Sequence, residues 1–99
     1  MTQTLLNKLR EFFSAQPVEK AWIFGSYSRG EEKDDSDIDI LVKFAAGIPL
    51  GLGYFRMIEE LQGLCRKKID LVEEGMLDSH VSKFVNRDRI LIYERGASR

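Results

Sequence analysis

The chain has 99 residues, 43% of them hydrophobic and 31% charged, and a net charge of -1. That length supports one domain, 1–99, with a genuine core but leaves no residues for a second, substrate-holding domain, and the charge balance argues against extensive binding to nucleic-acid backbone. No apolar run approaches the ~18 residues of a membrane span, no secretion signal opens the chain, and the single cysteine, Cys65, lacks an internal disulfide partner, so a cytoplasmic protein is expected.

Thr2 to Gln16 carries Leu5, Leu6, Leu9, Phe12 and Phe13 at helical spacing, which predicts an amphipathic helix that stops by Pro17. A lone helix of this length is marginal in water, so its stripe must dock, and packing into the core is the expected use. Ala21-Trp22-Ile23-Phe24 reads as a strand buried on both faces, with Trp22 as core or a partial cover rather than a base-stacking platform. It runs into Gly25-Ser26, where glycine lets the backbone approach a ligand and N–H groups entering a short helix can receive phosphate oxygens. Tyr27-Ser28-Arg29-Gly30 is that short helical turn, closed by Gly30.

An acidic loop leads to a second strand over Asp37 to Phe44. Ile38, Ile40, Val42 and Phe44 form one apolar face, and Asp37 and Asp39 open the other. Residues two apart in a strand project together, about 6.5 Å apart along the backbone. Parallel carboxylates repel unless a cation sits between them, and a hard divalent ion such as Mg²⁺ is the usual solution. A phosphate cradle at one strand end beside a carboxylate pair on the next points to phosphoryl or nucleotidyl transfer. A merely solvated acidic loop would not require the alternation with Ile38, Ile40 and Val42. A calcium loop starting at Asp35 would need glycine and glutamate where the chain has Ile40 and Ala46. The glycines match neither a Walker loop nor the dinucleotide fingerprint.

Ala46 to Gly53 is a turn-rich connection with three glycines and a proline, the candidate for a mobile rim. Tyr54, Ile58, Leu61 and Cys65, with Met57 and Leu64 alongside, predict a helix ending at Arg66-Lys67-Lys68, and Cys65 reads as inert core. Ile69-Asp70-Leu71-Val72 reads as a third strand. An aspartate in so apolar a run needs a metal, or a cation such as Lys43 or Lys67 if the strand lies at an edge. Leu77 to Asn86 predicts a last helix, capped by Asp78 or Ser79, with Leu77, Val81, Phe84 and Val85 on its apolar side. His80, the only histidine, falls in its first turn and reads as surface. Ile90-Leu91-Ile92-Tyr93 is a final apolar segment before the polar tail Glu94 to Arg99. The elements thus alternate as helix, strand, short helix, strand, helix, strand, helix, an α/β domain.

Ten residues, Tyr27 to Ser36, separate Gly25-Ser26 from Asp37-Ile38-Asp39. Gly-Ser, ten residues and Asp-x-Asp resembles the signature of the minimal nucleotidyltransferases of the DNA polymerase beta superfamily. That family commonly reads Gly-Ser-x-Ala-Arg-Gly and then Ser-Asp-x-Asp-Leu/Ile-x-Val. Here the stretches are Gly25-Ser26-Tyr27-Ser28-Arg29-Gly30 and Ser36-Asp37-Ile38-Asp39-Ile40-Leu41-Val42, with Ser28 in place of the alanine.

The resemblance covers nearly the whole chain and implies an α/β (α+β) polymerase beta-like fold, a small mixed sheet covered by helices. It places the strand of Asp70 beside that of Asp37 and Asp39, and makes these three the catalytic and metal-holding carboxylates for two Mg²⁺ ions. Gly25, Ser26 and Arg29 are then the nucleotide-binding residues, with ATP the expected substrate among nucleoside triphosphates. Arg29 either holds the loop or neutralises phosphate. Minimal nucleotidyltransferases are commonly paired with HEPN-domain toxins, which implies a hetero-oligomeric antitoxin that transfers AMP to a toxin hydroxyl. The alternative is a non-catalytic antitoxin that neutralises its partner by complex formation, through apolar surface such as the first helix or Ile90 to Tyr93.

Overall fold

The computed structural model describes residues 1–45, 51–76 and 79–96, the side chains of 79–82 and 84 excepted. Helix α1 spans Gln3–Ser14, and Thr2 caps it by accepting the Leu5 N–H on its hydroxyl at 3.1 Å. Strand β1 (Val18–Phe24) leads into the short helix α2 (Ser26–Arg29), then β2 (Ile38–Phe44) and α3 (Leu52–Cys65). Strand β3 (Ile69–Glu73), a 3-10 turn over Glu74–Met76, α4 (Ser79–Asp88) and β4 (Ile90–Glu94) complete the order.

The four strands form one mixed sheet in the order β3-β2-β1-β4. Strand β1 pairs antiparallel with both β2 and β4, whereas β3 lies parallel to β2 at the sheet edge. This is the mixed sheet covered by helices that the sequence leads one to expect. On one face Ala21, Ile23, Ile38, Ile40 and Val42 pack under Leu9 and Phe13 of α1 and Met57 and Leu61 of α3. These alternate positions are fully or almost fully buried, as a half-period pattern in β2 requires. On the other face Trp22 and Leu41 pack against Val85 of α4.

Two features depart from the sequence reading. Strand β1 starts at Val18, earlier than Ala21, because the charges of Glu19 and Lys20 mask an alternation that cross-strand partners satisfy. Lys20 faces Glu94 at 3.4 Å and Lys43 faces Glu19 at 4.0 Å. The segment Ile90–Glu94 is a fourth strand rather than an unassigned apolar run, paired with β1 through a bulge at Ile92. Helix α3 ends at the basic cluster as expected, through Arg66 in the left-handed region, φ 54°, with its N–H bonded to the Gln62 carbonyl at 2.8 Å.

Residues 46–50 of the predicted rim lie outside the described residues, as do Leu77, Asp78 and the tail 97–99, and likewise the side chains of His80, Val81 and Phe84. Gly51 sets the start of α3 at φ 72°. Among the described residues no helix is long and apolar enough to cross a membrane.

Candidate active site

After Phe24 the chain must leave β1 and enter α2 within one residue. Gly25 makes this turn at φ 69°, ψ -150°, a conformation that side chains disfavour. Its close approach is to a carboxylate: an added Cβ would overlap Asp39 Oδ2 and stand 3.2 Å from Asp39 Cγ. The cause is the β1–β2 register, which pairs Phe24 with Asp39. Ser28 locks the turn, its hydroxyl donating to the Gly25 carbonyl at 2.7 Å and its N–H to the same oxygen at 3.1 Å. Gly30, at φ 70°, closes α2 as expected. Ser26 is half-buried, and its hydroxyl makes no hydrogen bond among the described residues.

Strand β2 begins at Ile38, so Asp37 stands just before it and is exposed, and only Asp39 projects from the strand itself. The sequence reading, which gave both a strand position, is corrected here: the Ile38 N–H bonds the Lys68 carbonyl at 3.0 Å, starting the ladder one residue later. The parallel β2–β3 register sets Asp39 directly opposite Asp70. Asp70 is solvent-exposed on the edge strand, and its proposed cations are engaged elsewhere. Lys43 faces Glu19, and Lys67 Nζ donates to the Asp34 carbonyl at 2.7 Å.

Burial pushes the Asp39 carboxyl up to about 6, helped by repulsion from Asp70 and then Asp37 and by a hydrogen bond with Asp70, while Arg29 works against the rise. The three aspartates and Arg29 therefore share one electrostatic neighbourhood. Among the described residues no three acidic, histidine or cysteine side chains close into a ready metal cage. The convergent unit is Asp39 with Asp70, and Asp37 acts through space. Hard oxygen donors around a destabilised negative charge fit a hard divalent cation such as Mg²⁺.

Arg29 donates from Nε to Glu31 Oε1 and from Nη1 to Asp88 Oδ2, both at 2.6 Å. Arg29 thereby ties α2 to the end of α4. Sequence reasoning missed Asp88, whose only signal there is a carboxylate at a helix C-terminus, where the macrodipole disfavours it. Arg89 stacks over the Trp22 ring at 4.7 Å and donates to Glu74 at 3.1 Å, while Trp22 itself is buried against Leu41 and Val85, as a core residue should be. Tyr54 does more than pack: its hydroxyl donates to the Leu71 carbonyl, and burial followed by the charges of Asp70 and Glu73 raises its pKa. Cys65 is half-buried with its thiol pushed up by burial, as inert packing requires.

The family described as Polymerase beta, Nucleotidyltransferase matches residues 7–98. Protein adenylyltransferase MntA of Thermococcus cleftensis is 41% identical over 85 residues, which are 86% of this chain and 82% of that protein. The fold is similar to a solved toxin-antitoxin structure with AMP-PNP, at TM-score 0.77 and 22% identity over 92% of this chain and 74% of that one. It is also similar to a chain in the structure of tri-AMPylated Shewanella oneidensis HEPN toxin in complex with MNT antitoxin. There the TM-score is 0.72 at 22% identity, over 95% of this chain and 73% of that one.

Proposed function

This chain belongs to the Polymerase beta, Nucleotidyltransferase family, and from that premise we propose that it is a protein adenylyltransferase. It moves AMP from ATP to a hydroxyl of a HEPN-type toxin partner and so acts as an antitoxin, working in the cytoplasm as a single domain over 1–99. The observation that carries this reading is the register that sets Asp39 opposite Asp70 beside the Gly25-Ser26 turn. The name of the Thermococcus relative supports it, as do similar folds solved with AMP-PNP and with an AMPylated HEPN toxin.

In this reading the first turn of α2 receives the β and γ phosphates, with Ser26 donating its hydroxyl. Arg29 adds positive charge from the flank. Asp37 and Asp39 would hold Mg²⁺, and Asp70 would contribute to holding a second ion. When bound, such ions neutralise charge on the phosphoryl oxygens and on the entering and leaving oxygens of an in-line displacement. Asp70 orients the acceptor hydroxyl and takes its proton. The hydroxyl oxygen bonds to the α-phosphorus as the bond to pyrophosphate breaks, so no covalent enzyme intermediate forms.

In this reading the acceptor brings its own binding surface. Leu52, Phe55 and Met76 offer exposed apolar area for it. A module acting by complex formation alone has no need for three carboxylates that repel one another. Incubation of the chain with its cognate partner and ATP labelled at the α-phosphate tests the proposal. Label is expected on a partner hydroxyl and only with Mg²⁺; an unlabelled partner, neutralised nonetheless, would establish the binding module instead.

A further inference from the structure

The end of α4 and the residue after it are fastened to three neighbouring elements. Asp88 reaches α2 through Arg29, and Arg89 reaches β1 through Trp22 and the turn after β3 through Glu74. The side chain of Asp88 is only 16% exposed, an unusual degree of cover for a carboxylate. The other partner of Arg29, Glu31, is 63% exposed and lies two residues along the same loop. Of the two acceptors, Asp88 is the more covered and belongs to a separate element, whereas Glu31 lies on the loop beside Arg29 itself. The engaged donors of Arg29 are on Nε and Nη1, and its Nη2 donors have no partner among the described residues.

Resting on the reading of this site as an ATP site, we propose that Asp88 is a positioning residue for nucleotide binding. By holding Nη1 it keeps the Arg29 guanidinium at the flank of the Gly25-Ser26 cradle, with its remaining donors turned toward the phosphates. Without it the long arginine side chain follows Glu31 into solvent, and its charge is lost to the site. Asp88 is not needed to dock α4. Val85 packs against Trp22 and Leu41, Arg89 stacks on Trp22, and the Arg89 N–H bonds the Val85 carbonyl at 2.8 Å.

Calorimetric titration with AMP-PNP and Mg²⁺ tests this on the full chain and on Asp88→Ala, Asp88→Glu, Arg29→Ala and the double variant Arg29→Ala/Asp88→Ala. Asp88→Ala is expected to weaken binding roughly fivefold, the upper end for one exposed charge pair, and Asp88→Glu to recover most of the loss. Adding Asp88→Ala to Arg29→Ala should cost nothing further. Should Asp88→Ala fail to fold, the near-isosteric Asp88→Asn carries the same comparison, because Arg89 still anchors the helix. Wild-type affinity in Asp88→Ala, or an equal loss with and without Arg29, overturns the positioning role. A wild-type chain that binds no AMP-PNP overturns the ATP reading itself and this inference with it.

Discussion

Gly25 and Asp39 touch: the Cα of the glycine at the end of β1 lies so close to the aspartate of β2 that no side chain fits between them. The Gly-Ser turn and the carboxylate are therefore one object, and moving either moves the other.

Gly25→Ala should destabilise the chain by about 1–3 kcal/mol through its positive φ and, by pushing Asp39 aside, abolish nucleotide transfer. Gly30→Ala is the control. It has nearly the same φ, 70° against 69°, but open space around its Cα, so it should lose stability and keep activity. Chemical denaturation paired with the labelling assay separates the two, and a fully active Gly25→Ala would show that Asp39 is placed by something else.

Stability should depend on pH through Asp39. Its ordinary value is 3.8 and in the fold it rises to about 6, so between these values the folded chain holds a proton that the unfolded chain has released. The contribution is fully present below the lower value and is lost as pH rises through the upper one. In metal-free buffer the wild type should therefore weaken, relative to Asp39→Asn, as pH rises across that window, and Asp39→Asn should be the more stable near neutral pH. Urea midpoints of the pair above and below the window check this. Mg²⁺ affinity should climb over the same interval, since the cation needs the ionised form.

Ser26→Ala should bind ATP more weakly without unfolding. Its hydroxyl has no partner among the described residues, so removing it should cost no more than about 0.5 kcal/mol of stability. A thermal melt showing a large loss would instead make Ser26 a structural member of the turn.

The double variant Asp37→Asn/Asp39→Asn keeps side-chain size while removing charge. It should stay folded, bind its partner and fail to transfer AMP, by orders of magnitude rather than by degrees, because charge stabilisation of several kcal/mol is lost from the barrier. Protection of cells by this folded variant, with no AMP on the partner by mass spectrometry even for wild type, would replace catalysis by binding.

The sequence made the near half of the site readable because its parts lie within one turn and one strand. Gly25, Ser26, Gly30 and Asp39 each have a local signal, in spacing or in alternation with buried isoleucines. What local pattern could not give is register. Asp70 is an aspartate in an apolar run until β3 is laid parallel on β2, and Asp88, 59 residues from Arg29 in the chain, has no pattern tying the two. Strand β4 escaped for a related reason. Its five residues follow α4 almost without a turn and sit half-exposed at an edge, so neither length nor full burial announced them.

Arg10 reaches from α1 to the carbonyl of Ile92, the bulged residue of β4, and donates to it from Nε at 2.8 Å. An edge strand is ordinarily a template on which a foreign strand can grow, and here the position where that template is irregular is already taken by a cation. At the opposite edge the Tyr54 hydroxyl occupies the Leu71 carbonyl. Each margin of the sheet therefore offers an incoming strand one acceptor fewer, at a position already satisfied from within the chain.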